Sequence, residues 1–133
     1  MPIDYQRDDG RNLLTLTVRG DVTLADVLEI TDRQVAEGLW TYRVLYDMRQ
    51  RDKSLLSEAD VRNLAMHIAI LTEKHGARGR TAILSRAVTD SLLNDRYRIL
   101  VQQHVNLEIA VFTDVTDAMT WLDAIAPTWS SEP

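Results

Sequence analysis

Arg49-Gln50-Arg51-Asp52-Lys53 places three cations within five positions, just past an apolar run and ahead of a helix-forming stretch. In open α/β sheets, ligands bind outside the carboxyl ends of strands, and the free N–H groups of a following helix favour anions. Asp47 closes the same apolar run, and Arg86, after a later one, emerges on the same edge. Such a cluster suits an anionic or polar ligand, or electrostatic docking of an acidic partner. A solvated loop has the same composition. Catalysis by Asp47 with Arg49 or Arg86 would require Asp47 to sit in a cleft with a strongly displaced pKa.

Other catalytic constellations fail on residue type or context. The chain has no cysteine, which excludes disulfides, Cys-ligated zinc, iron–sulfur clusters and thiol nucleophiles. His67, His75 and His104 do not recur at ligand spacing, so no metal is expected. Asp8-Asp9, Asp47 and Ser85 could imitate a phosphoacceptor receiver. The required lysine after the fifth strand is missing, since that strand ends Phe112-Thr113-Asp114, and the acidic pair lies in a hairpin turn. There is no nucleophile elbow, Walker loop or dinucleotide fingerprint. Gly76-Ala77-Arg78-Gly79-Arg80 leads into a strand rather than a helix, the wrong context for a phosphate cradle. The expectation is no catalytic residue, no cofactor and no enzymatic activity.

These residues need elements to hold them. Ile3 to Asp8 and Asn12 to Gly20 flank Asp9-Gly10, a hairpin signal, and Leu14, Leu16 and Val18 alternate with Thr15, Thr17 and Arg19. Thr23 caps a helix with stripe Leu24, Val27, Leu28, Thr31 and Val35, ended by Gly38. Tyr42 to Met48 is a third strand. Ser57-x-x-Asp60 approximates a capping box for the longest helix, with Val61, Leu64, Ala65, Ile68 and Leu71 inward and Gly76 at its end. A strand over Thr81 to Ser85, a helix over Thr89 to His104, a strand over Leu107 to Thr113 and a helix starting at Asp114 or Thr116 complete the order β-β-α-β-α-β-α-β-α. Single helices between successive strands imply right-handed crossovers and a mainly parallel five-stranded sheet with four helices, opened by an antiparallel hairpin. The clean alternation of the second strand predicts a part of the sheet with one face uncovered. All five glycines are placed at element junctions. Trp40 is expected to cover the end of the first helix and Trp121 to be partly buried, with Trp129 in the tail.

Within the longest helix, Met66 and Ile70, with Ala59 one stretch earlier, fall opposite the core stripe. Large apolar residues on an outer face mean either a partner interface, a homodimer included, or a neighbouring element that covers them.

At 133 residues the chain is expected to form one domain over 1–126 with a frayed tail over 127–133. No apolar run approaches the ~20 residues that span a bilayer, and the N-terminus lacks a leader pattern, so a cytoplasmic location is expected. Twenty acidic against fifteen basic side chains leave a net charge of -5, which disfavours nucleic acid.

Ile3-Asp4-Tyr5, Val18-Arg19-Gly20-Asp21-Val22-Thr23, Leu45-Tyr46-Asp47-Met48, Asn94-Asp95-Arg96-Tyr97, and Val111-Phe112 followed by Ala118-Met119-Thr120-Trp121-Leu122 span nearly the whole domain. In this order they resemble the STAS domain of anti-sigma-factor antagonists, and more closely the bacterial SpoIIAA-like proteins of unassigned function. The resemblance implies the SpoIIAA-like (STAS) α/β fold and a regulatory module acting through protein contacts. In the antagonists an Asp-x-Ser-type motif presents a phosphorylated serine after the third strand. Here Arg49 follows Asp47-Met48, so that switch serine is absent. Ser54 and Ser57 lie further along as weaker phosphosite candidates, and Ser57 reads first as the helix cap. The fold also resembles the CRAL-TRIO core, so a small-molecule or lipid-binding module is the alternative. The expected partner is therefore a protein, a second copy included, or a small anionic or lipid ligand, with neither nucleic acid nor an integral membrane association.

Overall fold

The computed structural model describes residues 3–54, 57–86, 98–103 and 107–124. β1 (Ile3–Asp8) and β2 (Leu13–Val22) pair antiparallel, in register from Ile3↔Val18 to Asp8↔Leu13. Their connection is longer than the tight hairpin predicted around Asp9-Gly10, spanning 9–12 between Asp8 and Leu13. Positive φ falls at Asn12 (49°), and Arg11 N–H donates to both the carbonyl and the carboxylate of Asp8. An Asp that captures a backbone N–H further on, with an Asn that tolerates the left-handed region, builds a longer turn in which Gly10 is not the residue at positive φ.

β3 (Arg43–Ser54), β4 (Thr81–Leu84) and β5 (Ile109–Phe112) extend the sheet in the order β1-β2-β3-β4-β5, and every pair after the hairpin is parallel. Each crossover adds a strand on the same side of the last one. Right-handed connections therefore put α1 (Leu24–Ala36), α2 (Glu58–His75) and α3 (described over 98–102) on one face. Their core joins Val27 and Ile30 of α1, Leu64 and Ile68 of α2 and Val101 of α3 to Leu16, Tyr46 and Ile83 of the sheet. Among the described residues no strand follows β5, and α4 (Val115–Asp123) covers the opposite face. There Ala118 and Leu122 pack on Leu13, Leu45, Ala82 and Leu84. Over β1 and β2 that opposite face carries Asp4, Gln6 and Arg19, all exposed, as the alternation of β2 predicts.

Local signals hold the ends of the helices. Thr23 with Asp26 and Ser57 with Asp60 form reciprocal capping boxes, and Asp114 accepts from Thr116 and Asp117 N–H. Three sequence expectations are corrected. β3 continues six residues past Met48, because 50–54 pair with Arg19, Gly20 and Val22 of the long β2. A charged run has poor strand propensity, and the waiting edge of β2 overrides it. Gly20 is not at a junction but inside β2, at φ 69°, where the register with β3 shifts. Finally, Ile30 and Gln34 are buried in α1. Gln34 is accommodated because its amide donates to Leu39 O (2.9 Å) and accepts from Arg78 Nη2 (2.6 Å). Trp40 lies beside them, 4% exposed, donating Nε1–H to Gly76 O at 2.8 Å with Arg78 over its ring. The third predicted helix enters the described residues only at 98, and Ile125, Trp129 and the tail lie outside them.

Candidate functional site

Two surfaces hold the residues singled out by the sequence. The first lies on the helix-free face where β3 runs past the core. Asp47 pairs with Thr17 of β2 and Leu84 of β4, so it faces the same side as α4 but lies towards the uncovered part. It is 8% exposed, and its carboxylate is fully engaged. Arg49 donates Nε–H to Oδ1 (3.0 Å), Nη2–H to Oδ2 (2.9 Å) and its own backbone N–H to Oδ1 (3.1 Å). Burial pushes the Asp47 pKa up, but the Arg49 hydrogen bonds and the charges of Arg49 and Arg19 outweigh it. The carboxyl is held below its ordinary value. That is opposite to the displacement a general acid or base at neutral pH needs. On the neighbouring strands Arg19 bridges to Asp4 at 2.9 Å. The charges here are thus matched in two ion pairs.

The remaining patch residues are spread along strand ends. Arg51, Lys53 and Ser54 belong to β3 rather than to a loop, and their side chains lie outside the described residues. Arg86 is exposed two residues beyond Leu84, as Arg49 is two beyond Asp47, so the parallel register brings both to one level.

The second surface is α2. Its inner stripe of Val61, Leu64, Ala65, Ile68 and Leu71 is buried. On the opposite side Met66 is 54% and Ile70 51% exposed, with Ala59 exposed on the same line. Ser57 Oγ is occupied as the cap, accepting from Asp60 N–H at 3.1 Å while Asp60 Oδ2 accepts from Ser57 N–H. Arg62, Asn63, Glu73 and Lys74 are exposed beside the apolar pair. They were not singled out from the sequence, although their spacing of three and four from Met66 and Ile70 is legible there.

The structure also pairs His67 with Asp32 of α1 at 2.7 Å, a contact invisible in the sequence because the partners lie 35 positions apart. Among the described residues no group of three His, Cys, Asp or Glu could hold a metal ion. None of the described helices is long and apolar enough to cross a membrane.

No protein-family model matches the chain, and no curated protein matches it. Solved structures do. A crystal structure of an uncharacterized protein of the DUF3478 family from Shewanella loihica PV-4, described as having a SpoIIAA-like fold, superimposes with a TM-score of 0.57. The identity is 24%, over 90% of this chain and 91% of that one. This chain has a SpoIIAA-like fold. The anti-sigma factor antagonist SpoIIAA in its unphosphorylated form is similar with a TM-score of 0.56, over 92% of this chain and 99% of the antagonist, at 12% identity. The SpoIIAA-like (STAS) architecture expected from the element order is therefore found across the domain, with its opening hairpin and mainly parallel sheet. At these identities the likeness establishes the architecture and leaves the chemistry to the residues.

Proposed function

We propose that this SpoIIAA-like domain is a non-enzymatic interaction module that acts through protein–protein contacts on the outer face of α2. It works without the switch serine of the antagonists, whose place after Asp47-Met48 is held by Arg49. One observation carries the reading: Met66 and Ile70 stand more than half exposed on adjacent turns of a helix whose other face is fully packed. Both are already about half buried, so covering the remainder yields about 1 kcal/mol each, a gain that a partner can recover. Arg51 and Lys53 in the second half of β3, with Arg86 beyond β4, make a second, electrostatic contact for an acidic stretch of the partner, while Arg49 stays with Asp47. The similarity to an anti-sigma factor antagonist supports a regulatory role. So does the engagement of Asp47 by Arg49, which removes the best candidate for acid–base chemistry.

The test is a photo-crosslinking amino acid placed at Met66 and, in a separate variant, at Gln6 on the uncovered sheet face. Protein adducts from position 66 and none from position 6 support the reading. Adducts from position 6 alone would sink it and move the working surface to the sheet.

A further inference from the structure

The outer side of α2 carries more order than an apolar pair. Ala59, Asn63, Met66, Ile70 and Glu73 are all exposed and follow one another at intervals of four, three, four and three residues. This is the spacing of a helix–helix seam, with Asn63 and Ile70 at one set of core positions and Ala59, Met66 and Glu73 at the other. Two of the five positions are polar, Asn63 and Glu73, and polar residues at core positions fix register in such seams.

Resting on the reading of α2 as the working surface, we propose that its partner is a second copy of this chain. The two α2 helices pack antiparallel about a two-fold axis at the level of Ile68. That register sets Met66 against Ile70 of the second copy and Asn63 against Glu73, where the amide can donate to the carboxylate. Arg62 then approaches Glu73 across the seam, and Asp60 approaches Lys74. Each contact occurs twice, as an isologous interface requires. The acidic first turn of α2 (Glu58, Asp60) meets the basic last turn (Lys74, His75) of the second copy. A parallel arrangement would instead stack Glu73 on Glu73 at a core position. The charges of α2 therefore choose the antiparallel one, and His67, turned towards Asp32 of α1, stays clear of the seam. At 18 residues α2 is about 27 Å long, so this is a small interface with an expected dissociation constant in the high-micromolar range.

Sedimentation equilibrium of the whole chain, up to about 1 mM, tests it. Wild type is expected to self-associate to a dimer and no further, and Met66→Asp to remain monomeric with an unchanged circular dichroism spectrum. Arg62→Glu and Glu73→Arg each remove two symmetric ion pairs and create repulsion, so each weakens the dimer roughly tenfold. Mixing these two variants restores both pairs between unlike chains, and native mass spectrometry should then show the mixed dimer well above the twofold excess over each self-dimer that random pairing gives. A wild type that stays monomeric at the highest concentration overturns the proposal. If position 66 nevertheless crosslinks to a different protein, the interaction-module reading stands and only the identity of the partner falls. Random pairing in the mixture, with Met66→Asp still dimeric, overturns the seam.

Discussion

Replacing Arg49 by Met tests whether the pairing at the end of β3 is structural. Arg49 supplies two charge-assisted bonds to Asp47 and, through its backbone, a third that the substitution keeps. Bonds to charged groups contribute about 1.5–3 kcal/mol when shielded, but the Arg49 side chain is 46% exposed, so solvent screening lowers the expected loss to about 1–2 kcal/mol. For a domain of this size that is a fall in Tm of about 4–8 °C. Asp47→Asn should lose about 1 kcal/mol. Because both variants break the same pair, the double variant should cost less than the sum by about 1 kcal/mol. The pH dependence has a definite sign. The folded pKa of Asp47 lies below its unfolded value, so the stabilisation is complete above the unfolded value, about 3.9, and fades as pH falls through the folded one. In Arg49→Met the burial of Asp47 is no longer outweighed, its pKa rises, and acid unfolding should begin at higher pH. Urea denaturation of wild type, both single variants and the double variant, between pH 7 and 2.5, measures all of this. Additive losses, or a wild type that keeps its full advantage over Asp47→Asn at the lowest pH, would refute the argument.

Three further outcomes follow from the geometry. Ser57→Ala should lose about 1 kcal/mol, whereas Ser57→Asp should stay close to wild type because Asp also caps and suits a helix N-terminus; equal losses in urea titration would contradict the capping role. Gly79→Ala drives a Cβ into the backbone carbonyl of Tyr42 and to 2.6 Å from Thr41 O, so a destabilisation of about 3 kcal/mol is expected. Gly10→Ala, whose nearest neighbour is the Asp8 carboxylate at 3.4 Å, should be nearly silent in the same thermal melts. Tyr5 is pushed up to about 12 by burial and by its hydrogen bond to Glu37. The neutral phenol thus stabilises the fold below its unfolded value of about 10, and this contribution disappears as pH rises towards 12. Tyr5→Phe should flatten that alkaline limb, and an unchanged limb in denaturant titrations would assign it to other groups.

Features legible in the sequence were those set by neighbours a few residues apart. Thr23 with Asp26, Ser57 with Asp60, and the stripe from Val61 to Leu71 depend on helical spacing alone, and the structure keeps each of them. The alternation of Leu14, Leu16 and Val18 marked a strand with a wet side, and element order with the hand of crossovers gave the sheet. The placing of Met66 and Ile70 opposite the buried stripe was equally legible, but only the structure shows that no neighbouring described element covers them. Contacts decided by pairing across the fold were out of reach. A charged run such as Arg49 to Lys53 reads as a loop until the edge of β2 makes it a strand. Nothing local to Asp47 says whether its oxygens will be free for chemistry or filled by Arg49. Gln34 could enter the core only because Arg78, distant in sequence, arrives to satisfy it. Periodicity is a property of one segment and survives in the sequence. The charge state and burial of a side chain depend on partners that only the folded chain brings together.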